Sequence, residues 1–121
     1  MIKHYLNVEI ANTPYQHAQG LMFRNKLEKD EGMLFKFKDS QNLRFWGVNT
    51  YIPLSIAFVS PDNIIEKISY ISPNDPTAVD SDAICDKAIE ANYDFFTNNQ
   101  VKVGDKIEIV NDDFKTFVKF V

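Results

Sequence analysis

The sequence holds one cysteine, two histidines, one tryptophan and four glycines in 121 residues. Cys85 alone closes no internal disulfide, and no second cysteine stands at metal-ligand spacing, which excludes a disulfide framework and a thiolate metal site. Between Ile84 and Asp86 it reads as a buried structural residue, because a neighbouring carboxylate disfavours the thiolate a nucleophile needs. The glycines at 20, 32, 47 and 104 stand far apart, so there is no glycine-rich phosphate loop, and no Gly-x-Ser-x-Gly elbow occurs. His4 and His17 share no recurrent ligand spacing with each other or with a carboxylate. His4 is expected as a satisfied histidine on the core side of a strand, and His17 as a solvent-facing helix residue. No metal or cofactor is expected.

A surplus of positive charge is missing too. The formal charge is −4 and the pI near 5.1, which removes the broad attraction that nucleic acid or an anionic membrane would require. No apolar run is long enough to span a bilayer. Met1-Ile2-Lys3-His4-Tyr5 leads into alternating residues rather than an apolar leader core, so a soluble, cytoplasmic protein is expected, although a processed exported form would read alike.

What is present is a ring-rich globular composition, 45% hydrophobic with ten Phe and five Tyr, of a length suited to one domain over 1–121. "IKHYLNVEI" puts Ile2, Leu6, Val8 and Ile10 on one face of a strand. Thr13 as N-cap and Pro14 at the first helical position predict a short helix over 14–19, with Gly20 ending it in a left-handed conformation. "GMLFKF" predicts a strand with Met33, Phe35 and Phe37 opposite Leu34, and 43–60 reads as strand bent at 47–53. "SPDN" is a turn, "IIEKISYIS" a strand, "PNDPTAVDSD" an exposed loop over 73–82, and "AICDKAIEANY" a short helix or irregular segment. "VGDKIEIV" and "FKTFVKFV" form a terminal hairpin. The expected class is mainly β: a small antiparallel β-sandwich or barrel with one or two short helices, lacking the βαβα rhythm of a parallel sheet.

Eleven of thirteen basic residues are Lys, and the two Arg, Arg24 and Arg44, adjoin "LMF" and "FW". A guanidinium there can clamp an anion with two bonds, or simply pair with a nearby acid at the rim of the core.

"GLMFR" at 20–24, "GMLFKF" at 32–37, "FWGVNTYIPL" at 45–54 and "VGDKIEI" at 103–109 form an ordered series. In that order and spacing the chain resembles the domain of unknown function 192 family (DUF192), whose members carry Gly-Leu-Met-Phe-Arg, Gly-Met-Leu-Phe and Phe-Trp-Met-Lys-Asn-Thr followed by Ile-Pro-Leu-Asp. The resemblance implies a small, mainly β domain, often exported in bacteria, and brings no established activity. Gly47-Val48 stands where Met-Lys is usual, and Ser55 where Asp is usual. Chemistry that depended on that Lys or Asp would be missing here.

The matching residues suggest a bend that sets Asn49 and Thr50 at the rim of a cavity walled by Trp46, Met22, Met33 and Phe35, with Gly47 taking a bulge or a positive φ. On that reading the domain is a non-catalytic module for a small anionic molecule, held by Arg24 or Arg44. The alternative is a protein-interaction or structural domain, including a homodimer, using a sheet edge or the 73–82 loop. A hydrolase working through Glu90 and Asp94 ranks third, since no spacing supports a catalytic pair.

Overall fold

The computed structural model describes residues 3–121. Ile2, assigned above to the apolar face of the first strand, lies outside the described residues. The elements are β1 (His4–Ala11), α1 (Pro14–Gln19), β2 (Glu31–Phe45), β3 (Leu54–Val59), β4 (Ile65–Ile71), β5 (Val79–Asn92), α2 (Phe95–Asn98), β6 (Ile107–Asn111) and β7 (Thr116–Phe120). They build one seven-stranded sheet in the order β4-β3-β5-β2-β1-β7-β6.

The sheet is mixed. β1 and β2 run parallel, Asn7 opposite Glu31 through Ala11 opposite Phe35, while every other pairing is antiparallel. This corrects the expected antiparallel sandwich: the chain between β1 and β2 contains α1, and parallel neighbours need such a crossover where a hairpin cannot serve. The sheet also curls. Its two edge strands meet at one end, where Ile65 N donates to Asp105 O at 2.9 Å and Ile107 N to Asn63 O at 2.8 Å. The result is a half-barrel rather than two stacked layers.

Both faces of the sheet centre are covered. Inside the curl Leu6, Leu34, Ile89, Ile107, Val118 and Phe120 pack with Phe95 and Phe96 of α2. On the outer face Met33, Phe35, Ile56, Phe58 and Ala88 pack beneath α1 and the segment after it, with Leu21. Met33 and Phe35 thus oppose Leu34, as the alternation of β2 requires.

α1 starts where its caps dictate. Thr13 Oγ1 accepts from Gln16 N and Gln16 Oε1 accepts from Thr13 N, each at 3.2 Å, closing a capping box ahead of Pro14. Gly20 closes the helix at φ 48°, ψ −129°, a region open to glycine but not to the left-handed helical cap expected.

Three further expectations change. The stretch from Leu43 to Ser60 is two strands joined by a loop, and β5 runs between them. Only 73–78 is loop, since β5 begins at Val79. "AICDKAIEANY" lies mostly in β5, a central strand: its Ala, Lys and Glu favour a helix in isolation, but pairing with β2 and β3 on both sides decides. No helix among the described residues is long and apolar enough to cross a membrane.

Candidate functional site

β5 carries Glu90 opposite Met33 of β2 and Ile56 of β3, on the outer apolar face. The residue is only 4% exposed, and it has no hydrogen-bond or charge partner among the described residues. Burial alone acts on its acidity, pushing the carboxyl up to about 8, so that it holds its proton at neutral pH. Its oxygens are not sealed in the core, because no fully enclosed side-chain nitrogen or oxygen among the described residues lacks a partner. They face a cavity.

That cavity measures about 350 Å3 and lies between α1, the sheet and the loop after β2. Phe35, Phe37, Phe45 and Trp46 supply its rings, and Glu90 lies at its floor. Phe45 stands nearly perpendicular to Phe35 at 4.9 Å and to Phe37 at 6.3 Å between centroids, so the rings form walls rather than a stack. His17 stacks on Phe37 at 4.1 Å. It does not face solvent as expected: Nε2 lies 3.0 Å from Ala11 O and 2.8 Å from Lys36 O. Two carbonyl acceptors place a proton on Nε2, and the ring ties the end of β1 to β2.

Gly20 lets the chain leave α1 close above the floor. A Cβ there would sit 3.3 Å from Phe35 Cζ and 4.0 Å from Glu90 Oε1, on a backbone with positive φ. Gly20→Ala should therefore cost about 1–3 kcal/mol in urea unfolding. A cost near zero would show that the turn relaxes freely.

The loop over 46–53 is braced by the segment 72–75. Gly47 N donates to Asp75 O at 2.8 Å and Asn74 N to Thr50 O at 2.9 Å. Gly47 has no positive φ; it is needed because a Cβ would meet Ser72 O at 2.3 Å. The left-handed residue is Asn49, at φ 59°, whose carbonyl accepts from Phe23 N at 2.9 Å. Ile52-Pro53 is trans, as are all the described peptide bonds.

Of the site residues singled out in the sequence, Met22, Phe35, Arg44, Trp46, Thr50 and Glu90 line the cavity. Arg24 and Met33 line a separate cavity of about 230 Å3 that also touches Gln19 and Gly20. Asn49 lines neither and serves the turn. Both guanidiniums are occupied. Arg44 donates to Asp80 through Nε at 2.9 Å and Nη2 at 3.2 Å, holding that carboxyl below its usual range. Arg24 pairs in the same two-bonded way with Glu9, and its hydrogen bond lowers that carboxyl as well. Glu90 and Asp94 are not brought together, since Asp94 is exposed ahead of α2. Cys85 is buried, and burial pushes its thiol up.

Composition and spacing did not point to His17, Phe37 and Phe45 as cavity residues. The one usable signal was parity: read as a strand, β5 puts Ala88 and Glu90 on one face.

The ordered motifs agree with a comparison against protein families. The model of DUF192, described as "Uncharacterized ACR", matches residues 2–109. The chain belongs to the DUF192 family. Among solved structures, this DUF192 chain is similar to a Sinorhizobium meliloti protein described as a "putative transcription regulator", at 35% identity and a TM-score of 0.85, over 87% of this chain and 82% of that one. It is also similar to a protein of unknown function from Novosphingobium aromaticivorans, at 35% identity and a TM-score of 0.81, over 84% of this chain and 73% of that one. A search of curated proteins finds no match.

Proposed function

We propose that this DUF192 domain is a non-catalytic binding module for a small molecule, seated in the ring-walled cavity above Glu90. The observation that carries the reading is a buried carboxyl at the floor of an accessible cavity, with no partner among the described residues. Burying a polar group without a partner is unfavourable, and a ligand that supplies one would recover part of that cost. The size fits, at the lower end of the roughly 300–1,000 Å3 usual for ligand pockets, as does an apolar wall with few polar groups. The cavity presents a single carboxyl and no thiol nucleophile, which fits binding better than turnover. A 490 Å3 depression beside the terminal hairpin offers no comparable feature, since its carboxylates, Glu9 and Glu31, are exposed.

The test is a thermal-shift screen over cationic, neutral and anionic small molecules, repeated with Trp46→Ala. Trp46 is 56% exposed, so the variant should melt close to the native protein. A ligand at a hundred times its Kd adds about 2.7 kcal/mol, which is several degrees here, and the shift should vanish in the variant. No shift from any class would sink the reading.

A further inference from the structure

We infer that the ligand is a small organic cation, an alkylammonium group seated among Phe37, Phe45 and Trp46 with Glu90 as its counter-ion; this rests on the binding reading above. Besides Glu90, the ionisable groups lining the cavity are His17 from α1 and Arg44 from β2; β3, which flanks β5, carries none. The Arg44 guanidinium is held by Asp80, and the His17 Nε2–H points to two backbone carbonyls. Among the described residues that line the cavity, no cationic group is left free to clamp an anion. The unpartnered group is an acid.

Aromatic walls select in the same direction. Ring faces attract cations, most strongly where water is excluded, and mutually perpendicular rings can present faces to one ammonium from more than one side. A neutral ligand could share a hydrogen bond with the protonated carboxyl but would gain nothing from its ionisation. Binding of the cation breaks the Glu90 O–H bond, releases that proton to solvent and leaves a carboxylate beside the ammonium. No oxidant or second reactant is involved.

The experiment is calorimetric titration with choline and n-butylamine, against the neutral shape analogue 3,3-dimethyl-1-butanol, in phosphate and in MOPS, buffers of different ionisation enthalpy that carry no net positive charge. With burial pushing the free carboxyl up to about 8, the heats at pH 7 should report close to one proton released per cation, with affinity falling about tenfold on going to pH 6. The neutral alcohol should bind at least tenfold more weakly. Glu90→Gln should fold, yet lose the proton release and most of the affinity. Equal binding of the alcohol, or cation binding without proton release, would overturn this inference while leaving the pocket in place. Binding of neither the cations nor the alcohol at millimolar concentration, with no hit in the thermal screen, would overturn both.

Discussion

Replacing Glu90 by Gln is expected to leave stability at pH 5 within about 1 kcal/mol of the native protein and to raise it at pH 9 by on the order of 3–5 kcal/mol. The sign follows from where the proton sits. Burial raises the folded carboxyl from an ordinary 4.5 to about 8. Between those values the native state keeps a proton that the unfolded chain has lost, so unfolding releases it, and stability falls by about 1.4 kcal/mol per pH unit. Below the window the group costs nothing; above it the loss is complete. Gln removes the slope. Glu9, Asp75, Asp80 and Asp105 are lowered, so their stabilisation is lost toward acid pH, and it cancels when variant and native protein are compared. Urea midpoints from pH 5 to 9 provide the check. Parallel curves for the two proteins would mean that Glu90 is solvated or paired.

Gly32→Ala is expected to cost about 3 kcal/mol or more, for a reason in the backbone rather than in side-chain packing. Gly32 lies opposite Val8 of β1 and Ala91 of β5. A Cβ would fall 2.2 Å from the carbonyl oxygen of Glu90 and 2.9 Å from Leu6 Cδ2. The Leu6 side chain can turn aside, but the carbonyl cannot move without shifting β5 away from β2. The displaced residue is the one that places the acid at the cavity floor, so the variant should lose ligand binding as well as stability. Unfolding by urea measures the first, and a ligand-induced thermal shift the second. A loss below about 1 kcal/mol would contradict the close approach.

Where local chemistry decides structure, the sequence was readable. Thr13-Pro14 set the start of α1 through a capping box, and the Asn111-Asp112-Asp113 turn between "VGDKIEIV" and "FKTFVKFV" marked the terminal hairpin of β6 and β7. Where distant partners decide, it was not. β5 is paired on both sides and buried over much of its length, so "AICDKAIEAN" lacks the alternation of a half-exposed strand and its residues suggest a helix. That misreading hid the place of Glu90 in the cavity, because Glu90 shares a face with Phe35 only when β5 is a strand. The parallel β1–β2 pair was hidden likewise, since a single short α1 gives no repeating rhythm. Around 46–50 the motif marked the right segment but not the roles: Gly47 answers to Ser72 O, Asn49 to the turn, and Thr50 and Trp46 to the cavity. The arginines stood out by rarity, yet each has its acid across the fold, and no spacing reveals such pairs.

Burial keeps Glu90 a neutral acid at the floor of an accessible cavity, without a partner among the described residues. The most direct test is a carbon-13 NMR titration of the Glu90 side-chain carboxyl from pH 4 to 10, assigned with Glu90→Gln. A midpoint near 8, far above the ordinary 4.5, is the predicted result. A midpoint at or below the ordinary value would mean that the carboxyl is hydrated or already paired, and would contradict the account.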